Sequence, residues 1–156
     1  ILISISQMSE TLCILLIPFF LKRFGIKKVM LISMFAWILR FGLLGTGDPG
    51  GGVWMLILSM LVYGVAFDFF NISGSLFVEQ ETSPKIRSSA QGVFMIMTNG
   101  FGAFIGSYAA GKVVDLAGWP NAWFIFTTYS VVVMILFAIL FQYKHDPVKI
   151  ERQLAK

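Results

Sequence analysis

The chain has 156 residues and a net charge of +4, with 57% hydrophobic and only 13% charged residues. Soluble domains usually carry about 25% charged residues. This chain has too few to cover a globular surface, and its mean hydropathy of +0.81 points to lipid as its solvent. The basic residues flank apolar runs and form no single basic face, which argues against nucleic acid as a partner. With a single cysteine, Cys13, the chain cannot hold a disulfide framework or a cysteine-based metal site by itself.

Five apolar runs are separated by turn signals and are long enough to cross a bilayer, which takes about 20 residues. The glycine-rich stretch 47–52, Ser83-Pro84 and Gly118-Trp119-Pro120 mark three of the connections. The first run has neither an initiator Met nor the basic start of a secretory signal, so we expect a chain that begins inside a helix. We predict an all-α fold, a polytopic transmembrane helix bundle in a lipid bilayer. The five predicted spans are at about 1–21, 29–47, 53–78, 89–114 and 119–143, and a tail follows at 144–156.

The Lys and Arg residues predict how the spans are oriented. Of the 12 such residues, all but Arg40 and Lys112 lie in the first and third connections or in the tail. Cytoplasmic loops of membrane proteins carry an excess of Lys and Arg. We therefore expect these connections and the C-terminus on the cytoplasmic side.

The first two predicted helices each place an ionisable residue in an apolar run. In the first helix, Gln7 and Glu10 are three residues apart and share one face. Because an amide against lipid is costly, we favour a polar stripe that faces a cavity over a purely structural ion pair for Glu10. In the second helix, Arg40 is expected either to pair with an acidic residue on a helix outside the chain or to take part in a gating network.

The third predicted helix carries the most informative residue. Asp68 lies in a run apolar enough to cross a bilayer, where a charged side chain costs about 2.5–3.5 kcal/mol on insertion scales. Tyr63, Phe67 and Asn71 recur every four residues, and Asp68 directly follows Phe67. An aromatic stripe is usually core packing. The adjacent carboxylate and amide instead favour a face that stacks on a flat ring and hydrogen-bonds to hydroxyl groups.

The fourth predicted helix is rich in glycine. Gly102 and Gly106 form a Gly-xxx-Gly pair, which is typical of close helix packing, and packing is the favoured interpretation. The polar residues Gln91 and Asn99 are weaker candidates for lining a pathway than the residues of the third helix.

Several stretches of the sequence resemble bacterial nucleoside permeases, the nucleoside:proton symporters of the major facilitator superfamily. The resemblance covers essentially the whole chain and is carried by 6–12 (SQMSETL), 36–41 (AWILRF), 62–75 (VYGVAFDFFNISGS), 86–92 (IRSSAQG) and 97–102 (MTNGFG). It implies helices eight to twelve of a twelve-helix transporter in the bacterial inner membrane. The N-terminal domain and helix seven of that transporter would lie outside this sequence.

The resemblance also implies which residues contact a nucleoside substrate. The positions that match the family's contacts on helices eight and ten are Gln7, Glu10, Tyr63, Phe67 and Asp68. Helical spacing selects these same residues and adds Asn71. The resemblance implies half of a site built between two domains, with the proton as coupling ion and no cofactor.

The expected mechanism is proton-coupled nucleoside transport by alternating access. Burial disfavours the ionised form of a carboxylate, so Asp68, or in second place Glu10, can take up a proton from outside and permit substrate binding. One alternative is a transporter of another small polar solute, such as a sugar. Two others are an intramembrane aspartyl hydrolase, which needs two intramembrane aspartates where only one is present, and a passive scaffold.

Overall fold

A computed structural model describes residues 2–48, 50–144 and 146–154 of the chain. The predicted all-α fold is confirmed. The elements in chain order are α1 (Leu2–Thr46), α2 (Val53–Glu81), α3 (Arg87–Met95), a π-helical segment (Ile96–Gly102), α4 (Ala103–Leu140) and α5 (Pro147–Leu154). Some predicted positions lie outside the described residues. They are the first residue of the predicted first span, Pro49 of the predicted glycine-rich turn, and residues 145, 155 and 156 of the predicted tail.

Within the described residues, three helical stretches are long and apolar enough to span a membrane: Gln7–Thr46, Val53–Glu81 and Arg87–Leu140. The chain is a multi-pass membrane protein. The predicted first and second spans both lie in α1, without a loop between them. The predicted fourth and fifth spans are likewise continuous through α3, the π-helical segment and α4.

α1 changes direction at Gly25, whose φ of 80° and ψ of 167° are adopted almost only by glycine. Ser9 donates a hydrogen bond to the carbonyl oxygen of Leu61, and Ser33 donates to that of Ala66 at 2.9 Å. In a straight helix Ser9 and Ser33 would be about 36 Å apart, whereas Leu61 and Ala66 are little more than one turn apart on α2. The two parts of α1 therefore fold back so that both pack against the same part of α2.

α4 has the same kind of break at Gly118, where φ is 74° and ψ is 161°. The part of α4 after this glycine packs antiparallel to the second part of α1. Lys27 donates to the carbonyl oxygen of Ala138 at 3.1 Å, and toward the other end the ring centroids of Phe41 and Trp123 are 6.3 Å apart. The break coincides with the turn predicted from Gly118 and the proline two residues later.

The hydrophobic core lies mainly between α1 and α2. It includes Cys13, which packs as an ordinary apolar side chain, and Phe69, which is fully buried. The predicted tail contributes to this core, because α5 inserts Ile150 into it. The segment after α4 is joined to α2 by a hydrogen bond that Tyr143 donates to Gln80.

The stretch from the π-helical segment to Gly118 makes few close contacts with the rest of the described chain, whereas α3 is joined to α2 by hydrogen bonds between Gln91 and Ser75 and by the ion pair of Arg87 with Glu79. A Cβ atom added at Gly106 would meet nothing within 4 Å, and one at Gly102 would meet only the backbone of Met97. The close helix packing predicted for these two glycines is therefore not found among the described residues. It occurs instead at Gly64 of α2, where an added Cβ would lie 2.8 Å from the backbone of α1.

Candidate functional site

Asp68 is buried on the side of α2 that faces the first part of α1. Its side chain is 8% exposed, and its Oδ2 atom has no hydrogen-bond partner among the described residues. Gly64, one turn earlier, allows α1 to approach, because a Cβ there would lie 2.8 Å from the backbone nitrogen of Glu10. The half-buried Glu10 is close enough to Asp68 for their charges to interact. The structure thus brings together the two carboxylates that were predicted as proton carriers.

Tyr63 and Phe67 stack on each other along α2, with ring centroids 5.7 Å apart and an interplanar angle of 19°. Arg40 of α1 lies over Tyr63, and its guanidinium carbon is 4.2 Å from the ring centroid. The same carbon is 5.3 Å from the ring centroid of Trp37. Because the guanidinium occupies Tyr63 in a cation–π contact, Phe67, which is 36% exposed, offers the more accessible aromatic surface.

Arg40 makes these ring contacts without a paired acid among the described residues. Its Nε and Nη1 atoms are buried and have no hydrogen-bond partner within the part of the chain that the structure describes. Buried charges are normally paired. The acidic partner expected from the sequence is therefore not among the described residues.

A groove of about 280 Å³ lies beside Phe67, between α1, α2 and the π-helical segment. Its floor and walls combine aromatic rings with amide and hydroxyl groups, as is common in ligand sites. The lining residues are Trp37, Ala66, Phe67, Phe70, Asn71, Thr98 and Asn99.

The six predicted site residues divide between two sides of α2. Phe67 and Asn71 line the groove, whereas Glu10 and Asp68 lie where α2 packs against the first part of α1. Successive residues of an α-helix are about 100° apart around its axis, which is why adjacent Phe67 and Asp68 serve different surfaces. The structure places Tyr63 under Arg40 and leaves the side chain of Gln7 exposed.

Several groove residues were not selected by the sequence patterns. Trp37 and Phe70 look like ordinary apolar residues of a membrane helix, and Asn99 ranked behind the third predicted helix. The usable signal was the polar pair Thr98-Asn99 in an otherwise apolar run. No group of three His, Cys, Asp or Glu side chains among the described residues is arranged to hold a metal ion.

Comparison with known proteins identifies the relatives of this chain. A family model described as "Nucleoside H+ symporter" matches residues 1–146. The chain belongs to the nucleoside H+ symporter family. The predicted resemblance to bacterial nucleoside:proton symporters is confirmed.

Individual relatives of the chain are permeases. It is 59% identical over 152 residues to the nucleoside permease NupG of Escherichia coli (strain K12), covering 93% of the chain and 36% of NupG. It is 54% identical over 160 residues to the xanthosine permease of the same organism, covering 98% of the chain and 38% of that permease. A crystal structure of NupG matches with a TM-score of 0.85 and 58% identity, covering 92% of the chain and 37% of NupG.

The chain thus spans little more than a third of the length of these relatives. This agrees with the prediction that it corresponds to only part of a transporter. The structural match also supports the predicted all-helical transporter fold.

Proposed function

We propose that the chain forms part of a proton-coupled nucleoside transporter that works by alternating access in the bacterial inner membrane. The observation that carries this proposal is the position of Asp68. A buried carboxylate with an unpaired oxygen directly follows Phe67, whose exposed ring lines a groove. A protonatable group is thus the next residue along α2 from a ring that suits stacking with a flat base.

The substrate site is proposed to include the six residues selected from the sequence. The base stacks on Phe67, because Arg40 already occupies the ring of Tyr63. Asn71 lies beside it in the groove, where its Nδ2 atom donates to the carbonyl oxygen of Phe67 at 2.9 Å and its Oδ1 atom is proposed to accept a hydrogen bond from the nucleoside. Gln7, Glu10 and Asp68 are also part of the proposed site, as hydrogen-bonding groups outside the groove, with Glu10 and Asp68 where α2 packs against the first part of α1. The N-terminal domain and helix seven, outside this sequence, would supply the other half of the site.

Asp68 is proposed as the proton carrier, with Glu10 as the alternative. Asp68 is buried between α1 and α2, whereas Glu10 is only half-buried. Protonation from outside would neutralise the site and permit substrate binding and closure. Release of the proton and the nucleoside inside would reset the transporter.

We further propose that the chain crosses the membrane five times. The reversal at Gly25 and the matching break at Gly118 support dividing two of the long helical stretches into two spans each. The proposed spans are those predicted from the sequence, followed by a cytoplasmic tail at 144–156. The distribution of Lys and Arg supports a cytoplasmic C-terminus.

Uptake by the full-length parent protein in proteoliposomes tests the proposed function. With an inward proton gradient, we expect concentrative uptake of labelled uridine that is inhibited by unlabelled nucleosides and unaffected by hexoses. Because a gradient of one pH unit is worth about 1.4 kcal/mol per proton, it can support about tenfold accumulation. Inhibition by hexoses alone would identify a sugar transporter. Uptake that is the same with and without the proton gradient would rule out proton coupling.

A further inference from the structure

The wall of the groove opposite α2 is built by an unusual piece of helix. Thr98 and Asn99 lie in the π-helical segment Ile96–Gly102 and line the groove together with Phe67 and Asn71 of α2. π-Helical turns are rare and often occur at functional sites, since they interrupt the regular hydrogen bonding of the helix. This wall carries polar groups that the proposed substrate contacts do not use.

The side-chain amide of Asn99 retains hydrogen-bonding capacity. Its Nδ2 atom lies 3.3 Å from the sulfur atom of Met95, which engages one amide hydrogen at most. Its Oδ1 atom accepts no hydrogen bond from any residue within 2–48, 50–144 or 146–154. Thr98 differs, because its hydroxyl group already donates to the carbonyl oxygen of Phe94 at 2.8 Å.

A free carboxamide presents an acceptor beside a donor. The same pair of groups, in the opposite order, occurs on the edge of nucleobases that carry a ring N–H next to a carbonyl, such as uracil and the 6-oxopurines. Asn and Gln read base edges in this bidentate way in protein–nucleic acid complexes. The groove volume of about 280 Å³ is close to the lower end, about 300 Å³, of the usual range for ligand pockets.

We propose that Asn99 is a specificity-determining residue that binds the N–H and carbonyl edge of a base stacked on Phe67. This inference rests on the proposed function, because it assumes that the substrate is a nucleoside. In this proposal the π-helical segment recognises the base, and the carboxylates on the other side of α2 bind the proton. Asn99 Oδ1 accepts from the ring N–H of the base, and Nδ2 donates to the adjacent carbonyl oxygen.

Transport of uridine and of 3-methyluridine by the full-length protein tests this assignment. The methyl group removes the ring N–H that Asn99 would bind. In Asn99→Leu, which has a similar volume and no polar group, we expect the KM for uridine to rise about tenfold. The KM for 3-methyluridine should change less than about twofold, because that substrate never makes the hydrogen bond.

Two further variants complete the design. Asn121→Leu removes an asparagine whose Nδ2 donates to the carbonyl oxygen of Ala117, outside the groove, and should leave both KM values unchanged. Asn99→Asp keeps an acceptor and should retain a preference for uridine over 3-methyluridine. It therefore tests the proposal even if Asn99→Leu does not fold.

The outcomes separate this inference from the proposed function. An equal loss for both substrates in Asn99→Leu, or no change for either, overturns the role of Asn99 while leaving nucleoside transport intact. If Asn99→Asp transports both substrates equally well, the role is overturned too. Absence of nucleoside transport by the unmodified protein overturns the proposed function itself.

Discussion

Two charged residues hold unsatisfied atoms inside the helical bundle. Asp68 has a buried oxygen without a hydrogen bond, and Arg40 has two buried nitrogens in the same situation, among the described residues. A buried polar atom without a partner costs about 1–3 kcal/mol, and more when it is charged. Both residues therefore depend on groups outside this chain, on a proton, or on substrate to complete their surroundings.

Asp68→Asn should uncouple nucleoside uptake from the proton gradient in the full-length protein. Asparagine keeps the size and polarity of the side chain but cannot exchange a proton at physiological pH. We expect the accumulation supported by a one-unit pH gradient, about tenfold per proton, to be lost. Counterflow of nucleoside without a gradient should persist. Uptake of labelled uridine at several external pH values measures the first effect, and exchange of labelled uridine into vesicles preloaded with unlabelled uridine measures the second.

Asp115→Asn serves as the matched control, since this carboxylate is exposed on α4. It should leave the pH dependence of uptake unchanged. If Asp68→Asn also leaves it unchanged, Asp68 is not the proton carrier and Glu10 takes that position.

At the scale of elements, the contact between α1 and α2 is organised by a glycine. An added Cβ at Gly64 would lie 2.8 Å from backbone atoms of Ser9 and Glu10, too close for either helix to remain in place. The hydrogen bond from Ser9 to the carbonyl oxygen of Leu61 lies one turn away. This contact holds Glu10 beside Asp68.

Gly64→Ala should destabilise the full-length protein in detergent by about 1–3 kcal/mol, because the methyl group forces α1 and α2 apart. Gly106→Ala is the control, since nothing lies within 4 Å of the added methyl group. It should be neutral or stabilising by about 0.5–1 kcal/mol through better helix propensity. Thermal unfolding followed by circular dichroism measures both. Equal stability of the two variants would contradict the assigned contact.

These glycines also show which helix contacts can be predicted from residue spacing in the sequence. The spacing of Gly102 and Gly106 predicted a packing face, yet in the described chain the close contact belongs to Gly64. Spacing establishes that two residues share a helix face, but it does not say which helix lies opposite. The grouping of Phe67 with Asn71 was predictable for the same reason, whereas Trp37 and Thr98 enter the groove only through tertiary packing.

For the whole molecule, hydropathy and turn residues predicted the helical architecture well. The break at Gly118 lies at a predicted turn, and the reversal at Gly25 lies between two predicted spans. The form of these breaks was not predictable, because one residue in a glycine-only conformation replaces a loop in each case. The helix in the tail was also missed, since an isolated stretch of eight residues is stabilised by burial of Ile150 and not by its own sequence.

Labelling of single cysteines in intact cells tests the proposed topology. In a cysteine-free background of the full-length protein, Gly50→Cys and Lys112→Cys should react with a membrane-impermeant maleimide from outside. Lys22→Cys and Lys85→Cys should react only after permeabilisation, because the proposed topology puts them in cytoplasmic connections. Lys22→Cys is decisive, since a three-span arrangement would hide it at the membrane centre and prevent labelling in both conditions.

The reversal at Gly25 also bears on how the protein enters its membrane during synthesis. The two parts of α1 have hardly any loop between them. They therefore cannot pass through an insertion channel one after the other, separated by a folded polar segment. In the proposed topology they leave it together as a hairpin, while the basic residues on either side of Gly25 (Lys22, Arg23, Lys27 and Lys28) stay on the side where synthesis occurs. In this topology Glu10 and Arg40 reach the hydrocarbon region as one inserting unit, so that neither ionisable residue enters on a helix inserted alone.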